Sequence, residues 1–136
     1  MQTFLPYRSF HQSAACLDRL RLGKQRLECK QIYNALTGVS SGWRTHVVTR
    51  MWEGYEEALV HYGAAICQEW IFRGYRDTLY PFFLEKMSNP ETLVKPHWLT
   101  PELCDKYKSL LLRKNPGHYR QYWPDHDDTT PMEYPR

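Results

Sequence analysis

The sequence lacks the motifs that identify several common classes of enzyme. It has no HExxH and no HxE paired with PCxxC, which argues against metalloproteases and zinc deaminases. It also has no GxxxxGK[ST] phosphate loop, no GxGxxG dinucleotide fingerprint and no GxSxG nucleophile motif. The six histidines are scattered, and no pair has the spacing of metal ligands. An enzyme built from this chain must therefore use a carboxylate, an amine or both.

Cysteines are few, and long apolar runs are absent. The four cysteines stand far apart with no CxxC, which argues against a zinc knuckle and gives no sign of a disulfide framework. Free thiols of this kind are typical of the reducing cytosol. No apolar run approaches membrane length, and the first residues lack the apolar segment of a signal peptide. We expect a cytoplasmic protein with no membrane partner.

The charge is distributed unevenly along the 136 residues, whose formal net charge is +3. Residues 1–50 hold eight Lys or Arg against two acids, a net charge of +6, whereas residues 124–136 carry four acids and one Arg. A basic first third indicates a polyanionic partner, although a solvated charged face would give the same count. The length fits one domain. We predict a monomer with a domain over residues 1–123 and a polar acidic tail over 124–136.

Hydrophobic periodicity predicts an all-α fold, because no segment alternates as a strand does. We expect a single compact domain of about three main helices, with an extended N-terminal arm and an irregular C-terminal segment. The predicted helices run from Ser9 to Leu36 with a break near Gly23, from about Thr45 to Arg73, and from Thr100 to the residue before Asn115-Pro116. Residues 78–98 are predicted to be irregular, with one turn around Phe82–Met87.

Glu28 is the one carboxylate in the basic stretch RLGKQRLECKQI. On a helical wheel it shares an edge with Arg21, Lys24 and Ile32, so it borders the apolar stripe. One interpretation is an ordinary ion pair with Lys24, which in this orientation contributes only about 0.2–0.5 kcal/mol. A carboxylate that faces DNA phosphates would need another reason to be there, and catalysis is one.

Several stretches resemble, in consistent order, the pyrimidine-dimer DNA glycosylase/AP lyase family, also called the endonuclease V family. KQRLECKQI resembles the family helix that carries its catalytic glutamate, and Glu28 falls on that glutamate. THVV with CQEWIFRGY, and then LLLRKNPGHYRQYW, resemble later family segments, and the opening MQTFLPY is similar to that of a bacterial subgroup. The resemblance implies a DNA repair enzyme that acts on duplex DNA, with residues 1–123 as the endonuclease V-like domain.

The family mechanism that this resemblance implies uses an N-terminal amine. The amine attacks the sugar C1′, displaces the base and forms a Schiff base, and the glutamate assists β-elimination, with no metal or organic cofactor. A peptide α-amine has a pKa of about 7.7–8.0, so a sizeable fraction is neutral at physiological pH. In the family's prototype the amine belongs to a threonine exposed by removal of the initiator Met. Here the bulky Gln2 normally prevents that removal, so Met1 is the expected nucleophile and Glu28 its partner.

Other residues are candidates for DNA contacts. Arg8, Arg21, Lys24 and Arg26 supply positive charge near the N-terminus, Arg44 and His46 lie at a predicted helix start, and Lys114, Tyr119, Arg120 and Tyr122 form a basic aromatic cluster. Each also has a structural interpretation, as a cap, a loop contact or a core aromatic, and Trp123 is expected in the core. Dimer excision is the expected activity. Excision of another modified base and non-catalytic DNA binding are the alternatives. A separation beyond about 8 Å between the terminal nitrogen and the Glu28 carboxylate would argue against catalysis.

Overall fold

The computed structural model describes residues 1–135, and the elements there are helical, with no strand among them. The seven α-helices of this part of the chain are α1 (Phe10–Cys16), α2 (Arg19–Leu36), α3 (Val47–Met51), α4 (Glu56–Phe72), α5 (Tyr80–Lys86), α6 (Pro101–Lys114) and α7 (Pro116–Tyr119). A short 3₁₀ helix spans Pro90–Thr92. The all-α prediction is confirmed, and α2, α4 and α6 are the three long helices.

Two of the predicted helices are each divided in two. The first breaks at Leu17 and Asp18 rather than near Gly23, because Asp18 adopts an extended conformation and caps a new helix. The second breaks after α3, where Gly54 has φ of +86°, a left-handed conformation that favours glycine. Both boundaries were wrong in the prediction. The single turn predicted around Phe82–Met87 is instead the two-turn helix α5, which spans Tyr80–Lys86.

The starts of α1 and α6 and the end of α2 follow the predicted capping chemistry. The side chain of Ser9 accepts from the backbone N–H of Gln12 at the start of α1, and Thr100 accepts from Leu103 at the start of α6. Helix α2 ends at Thr37, followed by Gly38 with φ of +81°. These local signals fix where the helices begin and end, and packing on α4 fixes how they are arranged.

Helix α4 is the centre of the core. It packs against α1, α2 and α5, and its inward residues, including Leu59, Tyr62 and Ile66, are fully buried. Gly63 allows α5 to pack closely on α4, since a Cβ at this position would clash with the ring of Phe83. The four cysteines are buried and free, and burial raises the pKa of the Cys16 thiol to about 12.

The N-terminal arm, residues 1–7, lies within this core rather than over it. Thr3 and Leu5 are fully buried, and the indole N–H of Trp52 donates to the Thr3 hydroxyl at 3.1 Å. The arm therefore runs beside α2 and places the first residue next to that helix. None of the described helices combines the length and the apolar character needed to cross a membrane.

Asp18 connects the cap of α2 to the C-terminal part of the chain. It accepts from the backbone N–H of Arg21 at 3.3 Å and from the Tyr119 hydroxyl, and its ion pair with Arg21 spans 3.2 Å. Burial alone would raise the pKa of this carboxyl, but the hydrogen bonds from Tyr119 and Arg21 outweigh it and hold the pKa below its usual range.

We expect Asp18→Ala to lower the free energy of unfolding at pH 7 by about 1–3 kcal/mol, from loss of the cap and of a buried hydrogen bond. A lowered folded-state pKa gives stability that is complete above the ordinary Asp pKa of 3.8 and is lost as pH falls through the folded value. The difference between wild type and variant should therefore shrink below pH 3.8 in urea titrations. Asp105→Ala, which removes a largely exposed acid, is the control. An equal deficit at all pH values would contradict this account.

Candidate active site

A cleft of about 470 Å³ opens where the N-terminal arm, α2 and α6 meet. Its lining residues are Met1, Gln2, Phe4, Leu20, Arg21, Lys24, Glu28, Leu110, Lys114 and Tyr134. Three cationic side chains and the terminal amine thus surround a single carboxylate. We call this the active-site cleft.

Met1 enters the cleft with its amine and not with its side chain. The side chain is only 1% exposed and its sulfur lies 3.6 Å from the Thr49 hydroxyl, while the residue as a whole is half-buried. The exposed part of Met1 is therefore its main chain. The thioether acts as an anchor in the core, and the amine remains accessible at the cleft.

Glu28 lies opposite this amine. Its Oε2 is 3.9 Å from the Met1 nitrogen and accepts a short hydrogen bond from the backbone N–H of Gln2, and its Oε1 is 3.9 Å from Lys24 Nζ. The carboxylate is 7% exposed, in agreement with its predicted place at the edge of the apolar stripe. The separation from the amine is well within the limit set above for a catalytic pair.

Gln25, one turn before Glu28 on α2, fixes the path of the arm. Its Nε2 donates to the carbonyl of Gln2 at 2.6 Å, and its Oε1 accepts from the backbone N–H of Phe4 at 2.9 Å. The Tyr62 hydroxyl donates to the Phe4 carbonyl and also lies 3.1 Å from Gln25 Oε1. Gln25 is 1% exposed. Gln25 was missed among the predicted site residues, because a single glutamine on a helix belongs to no motif.

Tyr134 closes one side of the cleft and was also missed. The side-chain amide of Gln2 donates to its hydroxyl at 2.6 Å. The segment before it is held on α6, where Arg113 donates to the carbonyls of Asp128 and Thr130 at 2.8 and 2.7 Å. No sequence signal places residue 134 beside residue 2, since the contact depends on how the tail folds back.

Comparison with known protein families gives a match to the first part of the chain. The family model for pyrimidine dimer DNA glycosylases matches residues 1–80, more than half of the chain. The chain belongs to the pyrimidine dimer DNA glycosylase family. The matched part includes Met1, Gln25 and Glu28. No curated protein matches the chain, and no solved structure matches it.

Family membership identifies the protein as a DNA glycosylase, and DNA as its substrate class. The active-site cleft brings together five of the predicted site residues, namely Met1, Arg21, Lys24, Glu28 and Lys114. Within residues 1–135 there is no group of three or more His, Cys, Asp or Glu that could hold a metal ion.

Three of the predicted DNA-binding residues of this glycosylase make internal contacts instead. Arg26 pairs with the buried Asp77 at 2.5 Å and stacks on Trp70. Tyr119 is fully buried against Asp18. The guanidinium of Arg120 donates to tail carbonyls and to the carboxylate of Asp128. If Arg26 or Arg120 contacted a phosphate, its ion pair with Asp77 or Asp128, respectively, would have to break.

The remaining candidates lie at the surface outside the cleft. Arg8 is exposed, but its Nε donates to the carbonyl of Leu99 at 3.0 Å. His46 caps α3 by accepting from the backbone N–H of Val48, which is the structural interpretation raised for it. Arg44 is exposed and Tyr122 is 43% exposed, so both are accessible to DNA. Trp123, expected in the core, is 7% exposed.

We expect Gln25→Met to reduce excision far more than its loss of stability explains. The change leaves the Gln2 carbonyl and the Phe4 N–H unpaired, which costs about 1–3 kcal/mol for each buried group. It also releases the arm, and a misplacement of about 1 Å at a reacting group can cost about 100-fold in rate. Single-turnover excision and thermal unfolding measure the two effects.

Thr100→Ala is the matched control for Gln25→Met. It removes the cap of α6, which costs about 1 kcal/mol, and it leaves the arm intact. Its excision rate should stay near that of wild type. Equal rate losses in the two variants would show that Gln25 matters only for stability.

Proposed function

We propose that the protein excises damaged bases from duplex DNA with the Met1 amine as nucleophile, and then cleaves the strand as an AP lyase. The observation that carries this proposal is the 3.9 Å separation between the Met1 nitrogen and Glu28 in a cleft with a cationic rim. This distance exceeds a hydrogen bond, and catalytic contacts in free enzymes often tighten only when substrate binds.

The proposed reaction begins when the neutral amine forms a bond to C1′ and the bond from C1′ to the base nitrogen breaks. The base leaves with its electron pair and takes up a proton, and the amine, now bonded to C1′, loses a proton. The C1′–O4′ bond then breaks, O4′ keeps the electron pair and takes up a proton, and the nitrogen lone pair forms the C1′=N bond of the protonated Schiff base. Glu28 stabilises the cationic sugar and then accepts the C2′ proton, so that the 3′ phosphate departs by β-elimination. Water then hydrolyses the Schiff base and regenerates the amine.

The cations of the cleft have a separate role in the proposal. Lys24 is 73% exposed in its side chain, and Arg21 and Lys114 line the same opening. Phosphate contacts of this kind fix the register of a protein on DNA and carry no sequence information. We assign these three residues, with Arg44, to the DNA backbone. Cyclobutane pyrimidine dimers are the proposed lesion, in keeping with the family.

Borohydride trapping on an abasic-site duplex tests the nucleophile. Reduction of the Schiff base should leave a stable covalent adduct on wild-type protein, and peptide mapping should place it on Met1. Acetylation of the terminal amine should abolish the adduct, because an amide nitrogen is not nucleophilic. An adduct that survives acetylation would refute the amine, and a duplex panel carrying dimers or other modified bases would identify the lesion.

Glu28→Gln should abolish strand cleavage while leaving DNA binding within about threefold of wild type. The amide keeps an acceptor for the Gln2 N–H, so the arm stays in place, but it can neither accept a proton nor balance the cationic sugar. Gel-based cleavage and fluorescence anisotropy on the same duplex give the comparison. Wild-type cleavage by this variant would exclude Glu28 from the mechanism.

A further inference from the structure

The loop between α2 and α3 exposes the aromatic ring of Trp43, which belongs neither to the lining of the active-site cleft nor to the core. Every residue from 37 to 45 is exposed, and Trp43 is 49% exposed. Its ring has one aromatic neighbour, the edge of His46, at a centroid distance of 5.5 Å. An indole that is exposed to water lacks the hydrophobic stabilisation that a tryptophan gains when it is buried in the core.

The backbone of Trp43 adds a second cost. Its φ is +65°, and it is the one non-glycine residue with positive φ in the part of the chain that the structure describes. A bulky residue in this region is a genuine outlier, and such strain persists only where the surroundings impose it. Here the backbone N–H of His46 donates to the Trp43 carbonyl at 3.1 Å and holds the turn. The turn thus presents the ring at the surface, where Trp43 is 49% exposed.

Trp43 is two residues from Thr45, which lines a cavity that adjoins the active-site cleft. The turn ends at His46, which caps α3, and Thr49 of α3 contacts the sulfur of Met1. A second cavity, lined by Thr45, Val47, Arg50, Tyr134 and Pro135, shares Tyr134 with the cleft. The end of the loop at Thr45 therefore lies near Tyr134, a residue that borders the cleft.

The chemistry around Trp43 suits a nucleobase. Arg44 follows Trp43 in the chain and is exposed, and the side chains of Arg50, in the adjoining cavity, and Lys24, in the cleft, are 61% and 73% exposed. Exposed aromatics next to cations bind opened nucleic acid by stacking, since every base has a π face. An enzyme that takes a nucleotide out of the stack also leaves an unstacked neighbour that an inserted side chain can cover.

We propose that Trp43 stacks on a nucleobase of the opened duplex at the lesion and so holds the extrahelical state. This rests on the proposed function for the presence of a lesion in the cleft. Trp43 is then a nucleobase-binding residue that lies outside the active-site cleft.

Trp43→Gly gives a test that separates binding from folding. Glycine adopts positive φ without cost, so the variant should unfold at the same temperature as wild type or higher. Its affinity for a duplex with a tetrahydrofuran abasic analogue should nevertheless fall about 5- to 150-fold, the range for one lost base–aromatic stack. Trp43→Phe should keep most of the affinity.

2-Aminopurine placed opposite the analogue, or on its 5′ side, reports the stack directly. Its fluorescence should be quenched in the wild-type complex and bright in the Trp43→Gly complex for one of the two positions. Phe72→Ala is the control, because Phe72 is 85% exposed at the end of α4, in a cavity that shares no residue with the cleft. It should change neither affinity nor fluorescence.

The outcomes distinguish this proposal from the proposed function. The analogue lacks the C1′ oxygen that a Schiff base requires, so the assay does not depend on Met1 chemistry. Failure of borohydride trapping with retained quenching would overturn the reaction and keep the stack. Unchanged affinity and fluorescence in Trp43→Gly, an equal loss in Phe72→Ala, or no binding by wild type would overturn the stack.

Discussion

The N-terminal arm crosses the core in an extended form, so its peptide groups need partners that a helix would have provided internally. Side chains supply them. Glu28 accepts from the N–H of Gln2, and Gln25 pairs with the carbonyl of Gln2 and the N–H of Phe4. Tyr62 completes the set at the Phe4 carbonyl. Because Gln25 and Glu28 are one turn apart on α2, the helix that holds the arm is also the helix that carries the candidate catalytic carboxylate.

The basic residues of the first third fall into two groups. Some are paired with an acid inside the protein, and others remain exposed. Arg26 satisfies the buried Asp77, and burying that carboxylate without a partner would be costly. Lys24 is mostly exposed and pairs only weakly with Glu28. The excess of positive charge in residues 1–50 therefore overstates the charge available to DNA. The positive charge that is available to DNA is concentrated in a few side chains around the cleft.

The all-α class, the N-caps of α1 and α6 and the proximity of Met1 to Glu28 could be predicted from the sequence, because each depends on a local pattern or on the family resemblance. The breaks at Asp18 and Gly54 were missed since the apolar periodicity continues through both, and only the backbone geometry interrupts it. Contacts such as Arg26 with Asp77 and Gln2 with Tyr134 join residues 51 and 132 positions apart. No local signal encodes such pairs, so Arg26 and Tyr119 could not be separated in advance from the accessible candidates.

The buried thioether of Met1 has a consequence for how the protein is made. Its side chain lies in the core, with 1% of its surface exposed, so Met1 is part of the folded structure. Under the proposed chemistry, the same residue supplies the reacting nitrogen. A formyl or acetyl group left on that nitrogen after translation would turn the amine into an amide while the fold stayed intact. Maturation of the chain end would then decide whether a folded molecule is an enzyme, and any purification tag would have to be placed at the other terminus.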